Sequence, residues 1–596
     1  MPPNIYYHQK IETLEKELTA LFHKKSLLAW LRFATVALAG MAFYLLFSFG
    51  IGYSVFSAII FIALFIRLIV VDIKNKSTLQ HTQFLVQICS DELKALDHNY
   101  FHFENGSSFE PSAHPYANDL DIFGRASIFQ FSNRTATEMG AATLASWLLQ
   151  PATLPVILQR QEAIKELENK TGWRLELHAF GKEQKITIAT QNRLQDWLQS
   201  PPIFIHNSLW KIIQYGVPSI MLIVLILNTI GSIADSTRNV FLLAASIIAY
   251  ISAKKITPMH LQVSKMADEL AVLSKSVYLI ENTVFNASLL QDLQSRFVLQ
   301  NTKASTQLKL LKKIVERLDL RLNPVVFIPL AVIFQWDIQQ GIALENWKKR
   351  NRKNITDWFE ALGQLEALNS FSGLSFNHPE WCFPSFTENY FSISATQVGH
   401  PLINTTKRVD NPIIMKSRQE LMLITGSNMA GKSTYLRSIG VNTVLAMAGA
   451  PVCAATFILS PVQLISSMRI SDNLEESTST FYAELKKLKT IIERVNSGEK
   501  IFILLDEILR GTNSLDRHTG SVALVKQLIK HQAACIIATH DVALAKLITE
   551  YPDNILNYHF DVQVEKDELY FDYKLKEGIC TSLNASILMK KIGIEL

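Results

Sequence analysis

Cysteine is scarce and scattered. The five thiols, Cys89, Cys382, Cys453, Cys535 and Cys580, form neither an even disulfide framework nor a zinc spacing, so a reducing compartment suits most of the chain. Glycine (23 of 596 residues) and proline (19) are also few, which excludes collagen-like and low-complexity classes. Charge is thin, at 19% against a usual figure of about 25%. The 58 basic and 53 acidic residues leave +5, too mild to imply nucleic acid by itself. Secreted, disordered and metal-finger classes are out. What is present is length for about four domains and a mean hydropathy of +0.14, which points to apolar residues gathered in stretches.

Those stretches come in pairs. From Phe33 to Phe65 no residue is charged, and Gly50-Ile51-Gly52-Tyr53 interrupts the run near its middle. A bilayer span takes about 20 apolar residues. The run therefore reads as a transmembrane hairpin over residues 31–49 and 53–71. A secretory signal would be shorter and end in a small-residue cleavage site. A second pair runs from Ile212 to Ala234 and from Asn239 to Ala253, with Asp235 and Arg238 at the bend. Its second half is short for a span, and a buried hairpin in a soluble domain is the competing reading. Pro324 to Trp336 contains Pro329, is too short to span, and is expected to be a core helix. Lys24, Lys25, Arg32, Arg67, Lys74 and Lys76 flank the first pair, and Lys211, Lys254 and Lys255 the second. Of lysine and arginine, the turns hold only Arg238. By the positive-inside tendency both termini and all large domains face the cytoplasm from a multi-pass inner-membrane protein.

Leu421 to Thr425 is a short apolar strand, followed at once by Gly426-Ser427-Asn428-Met429-Ala430-Gly431-Lys432-Ser433-Thr434. This is G-x-x-x-x-G-K-[ST] between a strand and an expected amphipathic helix over 432–447. Backbone N–H groups of such a loop close around phosphates, and the helix N-terminus adds its dipole. Lys432 is placed for the β/γ-phosphates and Ser433 for Mg²⁺. A second apolar strand, Ile501 to Leu505, ends in Asp506-Glu507. Two carboxylates closing a buried strand are costly without a cation. Asp506 is placed to hold Mg²⁺ through water and Glu507 to orient the attacking water. A third strand, Cys535 to Ala538, ends in Thr539-His540, where the histidine can sense the γ-phosphate. A parallel sheet with ATP at its carboxyl edge is expected.

These motifs carry a resemblance. Gly426 to Thr434 resembles the phosphate loop of the MutS family, in which Asn-Met before the last glycine is distinctive. Asp506 to Asp516 resembles that family's Walker B segment and the loop after it. Ser479-Thr480-Phe481-Tyr482-Ala483-Glu484 is similar to its Ser-Thr-Phe-x-x-Glu signature, and Ala538-Thr539-His540 to its histidine switch. Phe571-x-Tyr573 with Gly578, and Ser582-x-Asn584-Ala585, resemble the end of its ATPase domain. Upstream, Asp119 to Gly124, Ser127 to Phe131, Asn133-Arg134-Thr135, Met139-Gly140, Trp147 to Pro151 and Gln159 to Ile164 resemble the start of its core domain.

The resemblance implies an α/β ATPase domain of the ABC/MutS P-loop type, set on an α-helical core and lever domain. It implies ATP and Mg²⁺, a homodimer, and DNA as a partner. In the family a second subunit's signature segment closes the γ-phosphate; here Ser477, Ser479 and Thr480 are the candidates. The chain then divides into a cytoplasmic helix (1–30), a hairpin (31–71), the first part of the core (78–205), a second hairpin (212–253), levers and the rest of the core (259–390), and the ATPase domain (395–596). Residues 259–300 and 303–322 read as long lever helices.

Departures from the family pattern matter. Ser477 and Leu509 stand where glycine is usual. The interval between the first hairpin and the core is too short for mismatch-recognition and connector domains of about 100 residues each, and the Phe-x-Glu mismatch wedge is missing there. Phe386-Thr387-Glu388 lies just before the ATPase domain instead. A membrane-anchored subgroup lacking the mismatch-recognition domain is the expectation. The basic run Lys348 to Lys353 fits a phosphate contact, a membrane-facing patch or a solvated face equally. Two readings without DNA stay open. One is an ATP-driven transporter, although the Leu-Ser-Gly-Gly-Gln pattern is missing and the spans carry almost no polar residue. The other is a membrane-organising mechanoenzyme.

Overall fold

The computed structural model describes residues 1–299, 302–388, 390–427, 429–468, 480–565 and 568–580. The element that places the site is a six-stranded sheet. Its strands are β1 (Leu421–Thr425), β2 (Gln463–Ser467), β3 (Ile501–Asp506), β4 (Ala534–Thr539), β5 (Ile555–Phe560) and β6 (Leu575–Glu577). They lie in the order β6-β5-β1-β4-β3-β2, with every neighbour parallel except the antiparallel β5–β6 pair. Strands β1, β3 and β4 are buried at every position, the condition under which a strand reads as an unbroken apolar run. Alternation survives in which layer each side chain joins. Met422, Ile424, Leu504 and Ile536 share a cluster with Leu436 and Ile439 of the helix Lys432–Ala448. Leu421, Leu423, Ile503 and Leu505 pack with Leu488 and Ile491 of Thr480–Asn496 and with Leu524 and Leu528 of Ser514–Lys530.

The helix Lys432–Ala448 is not amphipathic, contrary to the sequence expectation. It is buried around nearly its whole circumference, because the sheet covers one side and the helical core the other. Its polar Asn442 is accommodated by bonding: Nδ2 donates to the Gly399 carbonyl at 2.9 Å, and Oδ1 accepts from the Cys453 N–H at 2.6 Å. A smaller sheet, Ser385–Phe386, Thr456–Leu459, Ile393–Val398 and Asn411–Met415, adjoins this layer.

The helical core is threaded by Ile355–Asn377, buried along most of its length. Its Glu366 accepts from the Thr137 hydroxyl (2.7 Å) and from the Thr137 N–H (3.0 Å). The expected levers are shorter than the sequence suggests. Over 259–300 the chain forms the end of Asp235–Ser264, then Ala267–Glu281 and Ser288–Ser295. The break between the last two follows from Phe285, which turns into the core, and from Glu166, which takes the N–H groups of Asn286 and Ala287. Residues 303–322 give the helix Ala304–Asp319 and one 3₁₀ turn.

Two antiparallel helix pairs project apolar surface. The first pair is Pro3–Phe47 and Ile51–Leu96; the second is Ser208–Thr229 and Asp235–Ser264. All four helices are long and apolar enough to cross a membrane. The expected separate helix at 1–30 is instead continuous with the apolar segment, and the second helix likewise runs on into the core, where Ile88 and Cys89 are buried. Pro324–Phe334 corrects another expectation. It is not a core helix: Val325 is 84% and Ile328 59% exposed, and only Ala331 is buried. It packs on the second helix pair and bends by 80° into Trp336–Asn351. In the basic run, Lys348 is drawn inside, its Nζ donating to the Ser200 carbonyl (2.5 Å) and hydroxyl (2.7 Å), so that lysine belongs to no solvated face.

Candidate nucleotide site

The loop after β1 turns sharply because Gly426 sits at φ +149°, where a Cβ would come within 2.6 Å of the Phe560 carbonyl oxygen. Met429 also takes a positive φ (+68°) and is 81% exposed, its side chain standing out from the loop. Asn428 lies outside the described residues. Lys432 begins the following helix and is 5% exposed. Its Nζ folds back on the loop, donating to the carbonyls of Gly426 (2.8 Å) and Ser427 (2.9 Å). Burial brings its pKa down to about 8, against the opposing pull of Glu507 and Asp506.

Asp506 ends β3. Burial raises its pKa, and the neighbouring Ser433 hydroxyl offsets part of the rise. Its Oδ1 is buried with no hydrogen-bond partner among the described residues. An orphaned carboxylate oxygen beside a hydroxyl is a hard oxygen donor set, which fits Mg²⁺. Glu507 follows at φ +50°. Its carboxylate is held by His540 Nε2 and, at 2.8 Å, by Arg510 Nε. The His540 hydrogen bond is the main reason its pKa lies below the usual carboxylate value. His540 Nδ1 lies 2.9 Å from the Gly426 carbonyl and 3.4 Å from Lys432 Nζ. Lys432, Ser433, Asp506, Glu507 and His540 therefore converge on one end of the sheet, at the carboxyl ends of β1, β3 and β4.

A cavity of about 490 Å³ opens there. Met429, Ala430, Gly431, Lys432, Ser433 and Thr434 form one wall; His400, Arg408, Asn411, Phe560 and Tyr573 stand among the others. Burial pushes the His400 pKa down to about 4, so the ring is neutral at pH 7.

The sequence motifs did not reveal everything that supports this site. Glu484, the last residue of the signature-like segment, is buried and accepts from the Leu509 N–H (2.5 Å) and the Arg510 N–H (3.2 Å). It holds the turn that follows Glu507. Leu509 takes φ +60°, the left-handed geometry that explains why glycine is usual at this place. Its side chain finds room against Gly520, where a Cβ would come within 2.5 Å of it. The outer wall, His400 to Asn411, carries no motif that marks it from sequence. Ser477 and Ser479 lie outside the described residues, as do Ser582, Asn584 and Ala585. Thr480 begins the helix Thr480–Asn496.

Comparison with known proteins places this geometry. The family described as MutS domain V matches residues 422–590. The DNA mismatch repair protein MutS of Thermotoga maritima is 30% identical over 252 residues, covering 41% of this chain and 31% of that protein. MutS protein homolog 4 of Mus musculus is 32% identical over 226 residues, covering 35% and 23%. The human protein of that name is 31% identical over 235 residues, covering 37% and 24%. The matched stretch thus spans less than a third of each relative's length. Residues 422–590 are therefore a domain V of the MutS family, and the chain's similarity to MutS proteins is of that extent.

Proposed function

We propose that this protein is a membrane-anchored ATPase that binds and hydrolyses Mg²⁺–ATP as a homodimer and acts on DNA. The buried, unpartnered Oδ1 of Asp506 beside the Ser433 hydroxyl carries the reading. Ser433 and Asp506 would hold Mg²⁺, which supplies charge neutralisation on the phosphates. Gly426, Ser427, Asn428, Met429, Ala430, Gly431 and Thr434 cradle those phosphates by their backbone. Lys432 exchanges its two carbonyl partners for the β/γ-phosphates. Glu507, kept ionised by its neighbours, orients the attacking water once Arg510 and His540 release it. His540 bonds both Glu507 and the Gly426 carbonyl, so it links the loop to the water-orienting carboxylate. Ser477, Ser479 and Thr480 of a second copy close the γ-phosphate.

The membrane part of the reading rests on dimensions. From Arg32 to Gly50, and from Gly50 to Arg67, the chain rises about 27 and about 26 Å at 1.5 Å per residue, close to the roughly 30 Å of a bilayer core. Arg32 pairs with Asp72 at 3.1 Å just below that level. The lysines and arginines that flank both hairpins support the reading that the ATPase domain faces the cytoplasm. DNA comes from the relatives' mismatch-repair role and from no contact in this chain, so it needs its own test.

Detergent-purified full-length protein should hydrolyse ATP only with Mg²⁺, and Asp506→Asn should abolish that Mg²⁺-dependent activity. Metal-independent hydrolysis would overturn the site assignment. A DNA panel with and without ATP, read as a function of salt, decides the partner. Absence of salt-dependent binding to any DNA favours the mechanoenzyme reading.

A further inference from the structure

We propose that a basic cavity at the foot of the second hairpin binds the phosphate headgroup of an anionic phospholipid. The proposal rests on the reading that this hairpin enters a membrane. The cavity measures about 620 Å³ and lies between the start of Ser208–Thr229 and the helix Trp336–Asn351. Lys211, Arg317 and Lys349 line it, together with Gln340 and Tyr215; no carboxylate does.

Nearby carboxylates are engaged elsewhere. Glu345 accepts from the N–H groups of Phe204 and Ile205 at 3.0 and 2.8 Å. Asp319 lies 2.7 Å from His260, Asp337 lies 3.4 Å from Arg321, and Glu316 lies 3.7 Å from Lys312. Three cations thus share one cavity without a counter-charge of their own among the described residues. Gln340 adds an independent observation. It is 4% exposed, and its Oε1 has no hydrogen-bond partner among the described residues. Turned over, the same amide presents an N–H to an anion. Like charges gathered around an unsatisfied buried amide are the arrangement a phosphate relieves.

The surroundings select a lipid as the source of that phosphate. Lys211 is the last charged residue before the uncharged run that starts at Ile212. Aromatic rings gather at this level: Lys255 lies 5.5 Å over the Trp210 ring, and Trp336 Nε1 donates to the Arg317 carbonyl at 2.9 Å. Trp and Tyr favour the headgroup region of a bilayer. Next to the cavity, Pro324–Phe334 leaves its apolar side chains exposed against the hairpin before the 80° bend. Acyl chains would lie along that surface while the headgroup sat on the three cations. Basic pockets between membrane helices on the cytoplasmic side are the usual form of such a site.

The test uses full-length protein in detergent, titrated with fluorescent phosphatidylglycerol or phosphatidylcholine of the same chain length. Phosphatidylglycerol should bind at least tenfold tighter. Replacing Lys211, Arg317 and Lys349 by Gln should remove the preference at about fivefold per charge, whereas Lys254→Gln with Lys255→Gln should leave it intact. Lys211→Arg with Lys349→Arg should also keep it, and the exposed Lys349→Gln alone reports if the triple variant fails to fold. Equal binding of the two lipids by the wild type overturns the proposal. So does an equal loss in the Lys254 and Lys255 variant, which would mean diffuse surface charge. Displacement of the lipid by millimolar inorganic phosphate would make free phosphate the ligand and overturns it as well. Flotation with phosphatidylcholine vesicles separates the two readings. Protein that floats but shows no lipid preference refutes the cavity alone; protein that does not float refutes the membrane reading and the cavity with it.

Discussion

Glu484 sits one helix away from the chemistry, yet its removal should be felt there. Its carboxylate takes the N–H groups of Leu509 and Arg510, the two residues that carry the chain away from Glu507. Hydrogen bonds to a buried charged group contribute about 1.5–3 kcal/mol each. Glu484→Ala therefore leaves two N–H groups without an acceptor in a turn that already holds Glu507 and Leu509 at positive φ. Losing about 3–6 kcal/mol of local stability lets this turn relax toward ordinary backbone angles, which moves the Glu507 carboxylate. A displacement of about 1 Å at a catalytic group costs on the order of 100-fold in rate. The expected result is a fall in kcat of about that size, with nucleotide affinity nearly unchanged because Lys432 and the loop are untouched. Phosphate release by the full-length protein gives kcat, and a fluorescent nucleotide gives affinity. Glu484→Gln should fall between, since one amide oxygen can serve only part of the pair. A Glu484→Ala protein that turns over within twofold of wild type would refute the idea that this carboxylate positions Glu507.

Glu507→Gln should keep ATP binding and lose nearly all turnover, and hydrolysis at the normal rate would reassign the water-orienting role. Lys432→Ala should weaken binding itself, seen as a loss of nucleotide affinity in the same assay. Burial raises the Glu366 pKa from 4.5 to about 7, so the folded protein holds a proton that the unfolded chain releases. Its cost is absent below pH 4.5, grows through the window to pH 7, and reaches at most about 3 kcal/mol above it. Unfolding midpoints of Glu366→Gln should therefore gain on wild type as pH rises from 5 to 8, and a difference that does not vary with pH would contradict this. Cysteines introduced at Tyr53 and Ser236 should both be labelled from outside intact cells; protection at Ser236 alone would reduce the protein to one membrane hairpin.

Legibility in the sequence followed the kind of signal each element leaves. The nucleotide loop and the strands ending at Asp506 and Thr539 were readable because a phosphate cradle needs fixed residues at fixed spacing and a central parallel strand needs an unbroken apolar run. The helix after the loop misled for the same physical reason. Seated between two layers, it has no wet face, and its Ser438, Asn442 and Thr443 look solvent-facing until Gly399 and Cys453 are seen to satisfy Asn442. Glu484 was legible as part of a motif but not as the acceptor for Leu509 and Arg510, because that contact joins residues 25 apart in sequence through a tertiary turn.

The apolar helices show where a hydropathy reading stops. A window marks where lipid-compatible side chains begin and end, but helix termini are set by backbone hydrogen bonding and caps. Nothing at residue 31 or 71 breaks the hydrogen-bond ladder, so the first helix runs unbroken from Pro3 to Phe47 and the second from Ile51 on to Leu96. The continuation then finds partners in the core. Tyr7 donates to Asn377 at 2.9 Å, and Glu92, buried, pairs with Arg134 and accepts from Asn377 at 2.8 Å. Arg134 belongs to the segment that resembles the start of the MutS core, and Asn377 ends the helix that threads it. A residue placed at a helix end by hydropathy alone thus lies mid-helix, and the stiff rods it belongs to are bolted at their inner ends to the body that carries the nucleotide site. Pro324–Phe334 is the converse case. Its length forbade a simple span, and burial was the alternative that followed for an ordinary soluble helix; packing on a neighbouring hairpin with the outer face left apolar is a third arrangement, available only beside helices that themselves expose apolar surface.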